Sequence, residues 1–414
     1  MPSGWGVDLL IVDDGSEDGA VEAVAAAVTH ADTTVAVGAV DSDAGRSQTE
    51  PERRFLREAR SDMVARMDAD DVCMPGRLKQ QVFRTIQSPA YSTAPASSLD
   101  RSPCSIVSDS VGGSFLMVAF MLEHPCVSVL GISVATFSGK VVRESDNDTP
   151  VDNHQPRRPP RRDPTTTGAV VHLPVSGVQR IARHPTDHAF AAWSILFGCC
   201  FAHPSAMLRR DRVLEVGGYD PKTEPAEDYD LWLRLQNSAP GRVANLGEVL
   251  LELRKHDQNV SHQRRLEQHV AADAAAARAM NRLLTAQQGL RRVVTRAQVA
   301  VVRRPETAAG AGDLADAARL LGNLGAAAVA TEALELGRAA GSDTGALTTK
   351  DEEEHACEQQ RRGRDMVARD VEARLGAMGV HAMSRFGAEA APVLDEWRKR
   401  LRDQPLLFSL GGGR

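Results

Sequence analysis

Three acidic groups, widely separated along the chain, carry the chemistry that this sequence could perform. They are Asp13 and Asp14, then Asp68, Asp70 and Asp71, and finally Glu227 and Asp228. Carboxylates crowded this closely repel one another, so they either face water or are neutralised by a hard cation that prefers oxygen ligands. One Asp-x-Asp pattern alone is more often a solvated turn, but three acidic groups together favour a shared site that binds a divalent metal.

Apolar segments precede the first two acidic groups. Residues 7–12 and 63–67 are rich in strand-forming apolar residues, which is typical of short buried strands. An Ala/Val-rich helix to about Val28 and a strand at 33–40 would complete a β-α-β unit. Ligands bind such sheets at the carboxyl ends of the strands, where these aspartates stand.

The third acidic group begins a helix. Leu231, Trp232 and Leu235 share one helical face that can pack on a core, while the first turn exposes Glu227 and Asp228. Acidic residues also favour helix N-termini for purely structural reasons. A short helix is expected just upstream at 209–216, ended by a Gly-Gly pair.

Composition excludes several classes of partner. The 414 residues carry a net charge of −6, so we expect no nucleic-acid partner. Six cysteines without C-x-x-C spacing indicate neither a zinc site nor a disulfide framework, and favour a reducing compartment. We expect no integral membrane segment, because the longest apolar run, 115–122, is far shorter than a membrane span. We expect no signal peptide, because the N-terminus lacks a charged region followed by an apolar one. These features predict a cytoplasmic protein, free or at the cytosolic face of a membrane.

Residues 269–414 differ from the rest in being rich in Ala, Arg, Glu and Leu. We expect helices at about 269–304, 312–340 and 350–402, forming an α-helical C-terminal region of unknown role. Packing or oligomerisation is the simplest use for it. Two irregular segments interrupt the first part of the chain, an insertion at 88–113 and a Pro/Arg-rich loop at 144–168.

Four motifs in succession resemble the family 2 glycosyltransferases with the GT-A fold. They are VDLLIVDDGSEDG at 7–19, ARSDMVARMDADDVCMPGRLKQQ at 59–81, FGCCFAHPSAMLRRDRVLEVGGYDPKTEPAEDYDLWLRL at 197–235, and NLGEVLLELRKHDQNVSHQRRLEQ at 245–268. The resemblance implies a GT-A domain over 1–268, an α/β fold with a mostly parallel, Rossmann-like sheet flanked by helices. The helical region follows it.

The resemblance also implies an activity, the inverting transfer of a hexosyl or N-acetylhexosaminyl group from a nucleotide-diphosphate sugar to an acceptor hydroxyl. A UDP-sugar is the favoured donor, and the acceptor is a glycan, a lipid or a protein. The second acidic group would be the family's DxD motif. Asp70 is then the candidate ligand for Mn2+ or Mg2+, assisted by Asp68 or Asp71, with Asp68 nearer the ribose.

The same resemblance assigns the remaining roles. Asp13 and Asp14 would accept a hydrogen bond from the uracil imide, although an Asx-type turn is the alternative for this pair. Asp228 would be the base that deprotonates the acceptor, with Glu227 orienting it. Arg254 and His256, in an R-x-H pattern, would contact the diphosphate.

The chain also departs from the family pattern. Family members usually open with a further strand and helix before the first acidic turn, whereas only a few residues precede it here, so the resemblance predicts an N-terminal truncation that removes one edge of the nucleotide pocket. Arg53 and Arg54 stand near the place of a usual Arg-Asn pair. Two other functions remain open, a non-catalytic scaffold that binds glycans or proteins, and a metal-dependent phosphohydrolase or nucleotidyltransferase.

Overall fold

A computed structural model describes most of the helical region and the core of the sheet. The described residues are 8–13, 34–39, 49–59, 61–66, 68, 71–73, 127–137, 178–238, 243–257, 259–288, 293–341 and 350–403. The predicted site residues Asp14 and Asp70, the 88–113 insertion and the 144–168 loop lie outside these ranges.

The described residues form both strands and helices up to residue 254 and are helical thereafter. The strands are β1 (Asp8–Asp13), β2 (Thr34–Ala39), β3 (Met63–Ala65), β4 (Val72–Cys73), β5 (Val129–Phe137), β6 (Val178–Ala182), β7 (Met207–Arg209) and β8 (Val243–Arg254). The helices are α1 (Thr49–Glu58), α2 (His188–Ser194), α3 (Arg210–Glu215), α4 (Glu227–Ser238), α5 (Val260–Gln263), α6 (Arg265–Gln288), α7 (Arg296–Arg303), α8 (Ala311–Gly341), α9 (Lys350–Phe386) and α10 (Ala391–Asp403).

The first two strands pair in parallel, as the β-α-β prediction requires. Their register runs from Asp8 opposite Thr34 to Asp13 opposite Ala39. The predicted position of Asp13 at the carboxyl end of a strand is therefore confirmed. The helix predicted between the two strands lies outside the described residues.

A second sheet of six strands has the order β3-β7-β5-β8-β4, with β6 paired to β5. Strands β5 and β8 run parallel, whereas the pairs β3-β7, β5-β7, β5-β6 and β4-β8 are antiparallel. The α/β architecture is as predicted, but the described sheet is mixed rather than mostly parallel. The strands β4, β6 and β7 have only two, five and three residues, so their direction leaves no signal in the apolar pattern.

The centre of the sheet is β5, whose nine residues are buried apart from the partly exposed Thr136. Such a continuous apolar strand is typical of burial on both faces. Leu130, Ile132 and Val134 pack into one hydrophobic cluster with residues of β8. Val129 joins a larger cluster on the other face, which includes Trp193 and Trp232.

The predicted short helix and its glycine end are confirmed as α3 and the turn that follows it. Gly217 and Gly218 adopt positive φ values of 90° and 66°, a backbone region that glycine enters without a steric penalty. Their N–H groups donate to the carbonyls of Leu214 and Val213, which closes the helix end. The chain then turns towards α4, which carries the third acidic group.

The described residues from 269 to 403 are largely helical, as predicted, although the helices expected at 269–304 and 350–402 are each divided into two, α6 with α7 and α9 with α10. They pack onto the α/β part without a break in the core. The larger hydrophobic cluster runs from Leu56 of α1 to Val393 of α10. Asp370 of α9 accepts a 2.7 Å hydrogen bond from the indole N–H of Trp193. The composition change near residue 268 therefore lies close to the start of α6 at Arg265, within one continuous core. None of the helices in the described ranges is long and apolar enough to cross a bilayer.

Candidate active site

One guanidinium group joins two carboxylates at the end of β3. Arg66 continues the β3-β7 pairing, since its backbone N–H donates to the carbonyl of Ala206 at 3.0 Å. Its side chain is only 19% exposed, and its two terminal nitrogens lie 3.2 Å from Glu52 Oε1 and 2.6 Å from Asp68 Oδ1. Burial alone would lower the pKa of Arg66, but the carboxylates of Asp68 and Glu52 outweigh it and raise this pKa. Arg66 therefore stays charged.

The two described aspartates of the acidic turn point to different surroundings. The N–H of Asp71 donates to the backbone carbonyl of Asp68 at 3.3 Å, which closes the turn. The Asp68 side chain is 41% exposed, so it can face a ligand. Asp71 is 6% exposed, and its Oδ1 accepts a 2.9 Å hydrogen bond from the backbone N–H of Arg254. The structure thus ties Asp71 to β8 and leaves Asp68 open to solvent.

Helix α4 carries the third acidic group at its N-terminus, and its apolar face is packed against the hydrophobic core. Leu231, Trp232 and Leu235 are fully buried, as the helical spacing predicted. The hydroxyl of Tyr229 donates to the carbonyl of Ile195 at 2.6 Å, which fixes the first turn of the helix. The acidic residues at 227 and 228 are therefore held at the N-terminus of a helix that has little freedom to move.

Glu227 lies among other carboxyl groups. Burial, followed by the charge of Asp228, raises the pKa of Glu227 to about 7, with Glu52 and Glu224 adding to the shift. Its Oε2 atom is buried and finds no hydrogen-bond partner among the described residues. Glu224 itself accepts a 2.9 Å hydrogen bond from the N–H of Thr49, which brings the N-termini of α1 and α4 together.

Asp228 lies close enough to Arg66 and Asp68 for both charges to act on it. Burial raises the pKa of Asp228, whereas the hydrogen bond from the Tyr229 N–H and the charge of Arg66 lower it, and Asp68 raises it further. The second and third acidic groups are therefore close enough to interact electrostatically. A carboxylate with a raised pKa, beside a second carboxylate open to ligand, can accept a proton from a bound hydroxyl.

Two uncharged aromatic side chains, those of His203 and Tyr219, lie close to these charged groups. His203 Nε2 and the Tyr219 hydroxyl lie 2.8 Å apart. Burial raises the pKa of Tyr219 above its ordinary value, against the effect of Arg66, and burial together with Arg66 lowers the pKa of His203 well below its ordinary value. Both side chains are therefore uncharged at neutral pH.

The R-x-H pattern at the end of β8 lies beside the acidic turn. Arg254 ends the strand, and its N–H is the group bound by Asp71. The backbone N–H of His256 donates to Asn259 Oδ1 at 2.7 Å, and its ring Nε2 lies 3.2 Å from Asn259 Nδ2. This places the two predicted diphosphate contacts near the DxD turn. Their contact with a diphosphate stays a prediction.

The residues present fit a divalent ion that takes few protein ligands. Within the described ranges, no three His, Cys, Asp or Glu side chains converge as a metal-binding group. Mg2+ is commonly held by one or two carboxylates together with substrate phosphates. The exposed carboxylate of Asp68 can supply one such ligand, and Asp70 stands two residues further along.

Sequence reasoning missed four residues of this site, namely Glu52, Arg66, His203 and Tyr219. A buried arginine requires a carboxylate partner, so Arg66 within an apolar strand and two residues before Asp68 was a usable signal. Glu52 offered none, because its pairing with Arg66 bridges two elements. The basic residues that had been noted, Arg53 and Arg54, instead pair with Glu50 and Glu58 on the outer face of α1.

The family comparison covers the part of the chain that contains Asp13, Arg66 and Asp68. Residues 6–98 match the model of the family described as "Glycosyl transferase family 2". The O-antigen biosynthesis glycosyltransferase WbnJ of Escherichia coli is 45% identical over 64 residues, which are 15% of this chain and 25% of WbnJ. The amylovoran biosynthesis glycosyltransferase AmsE of Erwinia amylovora is 24% identical over 213 residues, covering 50% of this chain and 51% of AmsE. The match thus spans about a quarter and about half of these two relatives.

Among solved structures, the chain is similar to S. aureus TarS. The TarS crystal structure aligns with a TM-score of 0.37 and 12% identity, over 96% of this chain and 49% of that one. The structure of TarS residues 1–349 in complex with UDP aligns with a TM-score of 0.36 and 12% identity, over 98% of this chain and 82% of that one.

Proposed function

We propose that this chain, whose residues 6–98 match the family 2 glycosyltransferase model, transfers a sugar from a UDP-sugar to an acceptor hydroxyl with inversion. The observation that carries the proposal is the 2.6 Å ion pair of Asp68 with Arg66, whose charge also lowers the pKa of Asp228. One carboxylate belongs to the DxD turn and the other to the acidic helix start. In a transferase these are the donor side and the acceptor side of one reaction centre.

In the proposed reaction Asp228 accepts the proton of the acceptor hydroxyl as that oxygen attacks the anomeric carbon. Its raised pKa makes it a stronger base than an ordinary aspartate. The backbone N–H of Tyr229 donates a 2.6 Å hydrogen bond to Asp228 Oδ1, which fixes the orientation of this carboxylate. Attack from the face opposite the leaving diphosphate inverts the anomeric centre. Glu227, whose pKa is near neutral, keeps Asp228 in place and can itself contact the acceptor.

On the donor side, Asp68 and Asp70 would hold Mn2+ or Mg2+ together with the diphosphate. A divalent ion there offsets the negative charge that develops on the leaving group. We assign Asp71 to fixing the turn against β8 rather than to direct ligation, since it is buried on the Arg254 N–H. By the family resemblance, Asp68 would also be the carboxylate nearer the ribose.

Nucleotide recognition is proposed at both ends of the donor. Asp13 at the end of β1, with Asp14 after it, would accept from the uracil imide. Arg254 and His256 would contact the diphosphate from the end of β8. The donor sugar is a hexose or an N-acetylhexosamine, and the acceptor is a glycan, a lipid or a protein. Cysteines without disulfide or zinc spacing favour a cytoplasmic site of reaction.

The experiment that tests the proposal is a thermal-shift screen of UDP-, GDP- and TDP-sugars with and without Mn2+. A glycosyltransferase is expected to gain stability only when a matching donor and the ion are both present, by the mass action of binding to the folded state. A protein that no donor stabilises would instead be a scaffold. Nucleotide breakdown that is as fast without an acceptor as with one would indicate a phosphohydrolase.

A further inference from the structure

The strongest unassigned feature of the molecule is the buried guanidinium of Arg66, which lies between α1, the acidic turn and α4. It contacts Glu52 of α1 at 3.2 Å and Asp68 of the turn at 2.6 Å. Both Arg66 and Glu52 are largely buried, with 19% and 15% of their side chains exposed. An ion pair with so little exposure is screened weakly, so its geometry is held more firmly than that of a surface pair.

The position of this bridge distinguishes it from an ordinary structural ion pair. One end lies on Asp68, the described carboxylate of the DxD turn that remains open to solvent. The other end lies on Glu52, which shares its surroundings with Glu227 at the start of α4. The same guanidinium acts on Asp228. Arg66 therefore connects the donor side of the centre to its acceptor side.

We infer that Arg66 is a positioning residue for the proposed transfer, and that its two-armed bridge from Glu52 to Asp68 orients the Asp68 carboxylate for a metal-bound nucleotide. The inference rests on the proposed function, which supplies the nucleotide. Arg66 itself touches neither substrate nor ion in this role. It acts through Asp68.

The chemistry of arginine is what this position needs. A planar guanidinium can hold two carboxylates in fixed directions at once, whereas the ammonium group of lysine is a single point charge. Arg66→Lys therefore keeps the positive charge but removes the planar group that can hold both carboxylates. Groups that orient a metal ligand from behind typically change metal affinity by about 10- to 100-fold when altered.

The test measures the binding of UDP in the presence of Mn2+ by calorimetry, alongside the melting temperature of each variant. Arg66→Lys is expected to weaken UDP–Mn2+ binding by about 10-fold or more. Glu52→Gln removes the charge at the other arm and should weaken binding less, because Asp68 keeps its contact. In the double variant the two effects should be less than additive, since both act through one bridge.

Arg234→Lys is the matched control. Arg234 is also a buried arginine that holds a carboxylate, that of Asp230 at 2.7 Å, and it donates to the carbonyls of Val216 and Gly218. It has no contact with Asp68. This variant is expected to lower the melting temperature while UDP–Mn2+ affinity stays at the wild-type value.

Three results would overturn the inference in different ways. If wild-type protein binds UDP–Mn2+ and Arg66→Lys binds it equally well, the role of Arg66 is lost and the proposed function stands. If wild-type protein binds no UDP with Mn2+, the proposed function fails and the role of Arg66 fails with it. A melting temperature that falls equally in Arg66→Lys and Arg234→Lys, with affinity unchanged in both, would make Arg66 purely structural.

Discussion

The backbone N–H of Arg254 donates a 2.9 Å hydrogen bond to the Asp71 carboxylate, which joins the end of β8 to the acidic turn. Two residues that the sequence assigned to separate parts of the donor site are therefore one structural unit. The antiparallel pairing of β4 with β8, with Val72 opposite Glu252, continues the same connection. The end of β8 and the DxD turn must keep a fixed distance as a result.

This connection predicts that Asp71 contributes to stability and that Asp68 contributes to binding. Asp71→Ala removes a buried acceptor and should lower the free energy of unfolding by about 1–3 kcal/mol. Asp71→Asn retains an oxygen that can accept from Arg254, so it should fold normally and keep most UDP–Mn2+ affinity. Asp68→Asn should show the opposite pattern, with weak binding and a smaller loss of stability than Asp71→Ala, because Glu52 stays paired with Arg66. Urea unfolding and calorimetry on the three variants measure both quantities, and loss of binding in Asp71→Asn would return Asp71 to the set of metal ligands.

Asp228→Asn is expected to abolish transfer while the affinity for the nucleotide-sugar stays nearly intact. An amide cannot accept the acceptor's proton, and loss of general base catalysis typically costs about 10²- to 10⁴-fold in rate. The amide oxygen can still accept the Tyr229 N–H, so the start of α4 should remain folded. Single-turnover transfer and donor calorimetry separate the two effects. Full turnover by this variant would remove Asp228 from the base role.

The pKa of Glu227 predicts a specific pH dependence of stability. It is raised from 4.5 to about 7, so between these values the folded protein binds this proton more tightly than the unfolded chain does. The resulting stabilisation is complete below pH 4.5 and is lost as the pH rises through 7. Relative to Glu227→Gln, which does not titrate, the wild-type protein should lose at most about 3 kcal/mol across this window, since one pKa unit corresponds to about 1.4 kcal/mol.

Urea unfolding of both proteins at pH 4.5, 6 and 8 measures this difference directly. Taking the difference removes most of the contribution of Glu52 and Asp228, whose pKa values are also raised. A wild-type protein that becomes more stable than Glu227→Gln as the pH rises would contradict the expected sign. It would mean that Glu227 is stabilised in its charged form.

The sequence predicted those parts of the fold that depend on local pattern. The apolar segments ending at Asp13 and preceding Asp68 are strands, and the spacing of Leu231 and Leu235 places α4 on the core. Gly217 ends α3 as its type suggests. Each of these features follows from a run of a few neighbouring residues, so a single sequence is enough to find it.

Features that depend on distant pairing were not predictable in the same way. The short strands β6 and β7 have three to five residues, which is too few to establish a period. The bridge from Glu52 to Arg66 joins two elements whose approach no local pattern encodes. Likewise, nothing near Asp71 shows that it turns inward, because the group that binds it belongs to Arg254.

The helical region packs onto α4. We therefore predict that the buried charges of the helical region stabilise the fold around the candidate active site. Asp273 of α6 is 4% exposed and is paired with both Arg303 and Arg304, and the Arg303 guanidinium lies 5.2 Å from the ring centre of Tyr229. Asp273→Ala leaves these two cations without their carboxylate partner. This variant should lower the free energy of unfolding by about 3–5 kcal/mol. Asp316→Ala removes the 53% exposed partner of Arg319. This variant should lose less than about 1 kcal/mol of folding free energy.

Thermal and urea unfolding of these two variants distinguish a buried support from a surface pair. If the helical region merely adjoined the α/β part, Asp273→Ala would melt that region in a separate, earlier transition and leave the other unchanged. Because the hydrophobic cluster is continuous, we expect a single transition at lower temperature. Two transitions would show that the two parts unfold independently.

Gly131 in β5 is expected to tolerate no side chain. A Cβ atom at this position would lie 2.3 Å from Asn245 Oδ1 and 2.5 Å from Phe201 Cβ, both closer than real contacts allow. Asn245 cannot easily move away, because its amide donates to the carbonyls of Pro185 and Cys200. Gly131→Ala should therefore force the centre of the sheet apart, at a cost of about 1–3 kcal/mol or more.

Gly376→Ala makes the same chemical change where the structure has room for it. A Cβ on Gly376 meets no atom within 4 Å, and the residue lies inside α9. Alanine is favoured over glycine in a helix by about 1 kcal/mol, so this variant should be slightly more stable than wild type. The two alanines thus predict shifts of opposite sign in the urea midpoint. Equal shifts would mean that β5 and β8 do not approach as closely at Gly131 as the structure shows, and the central pairing that positions the end of β8 beside the acidic turn would have to be redrawn.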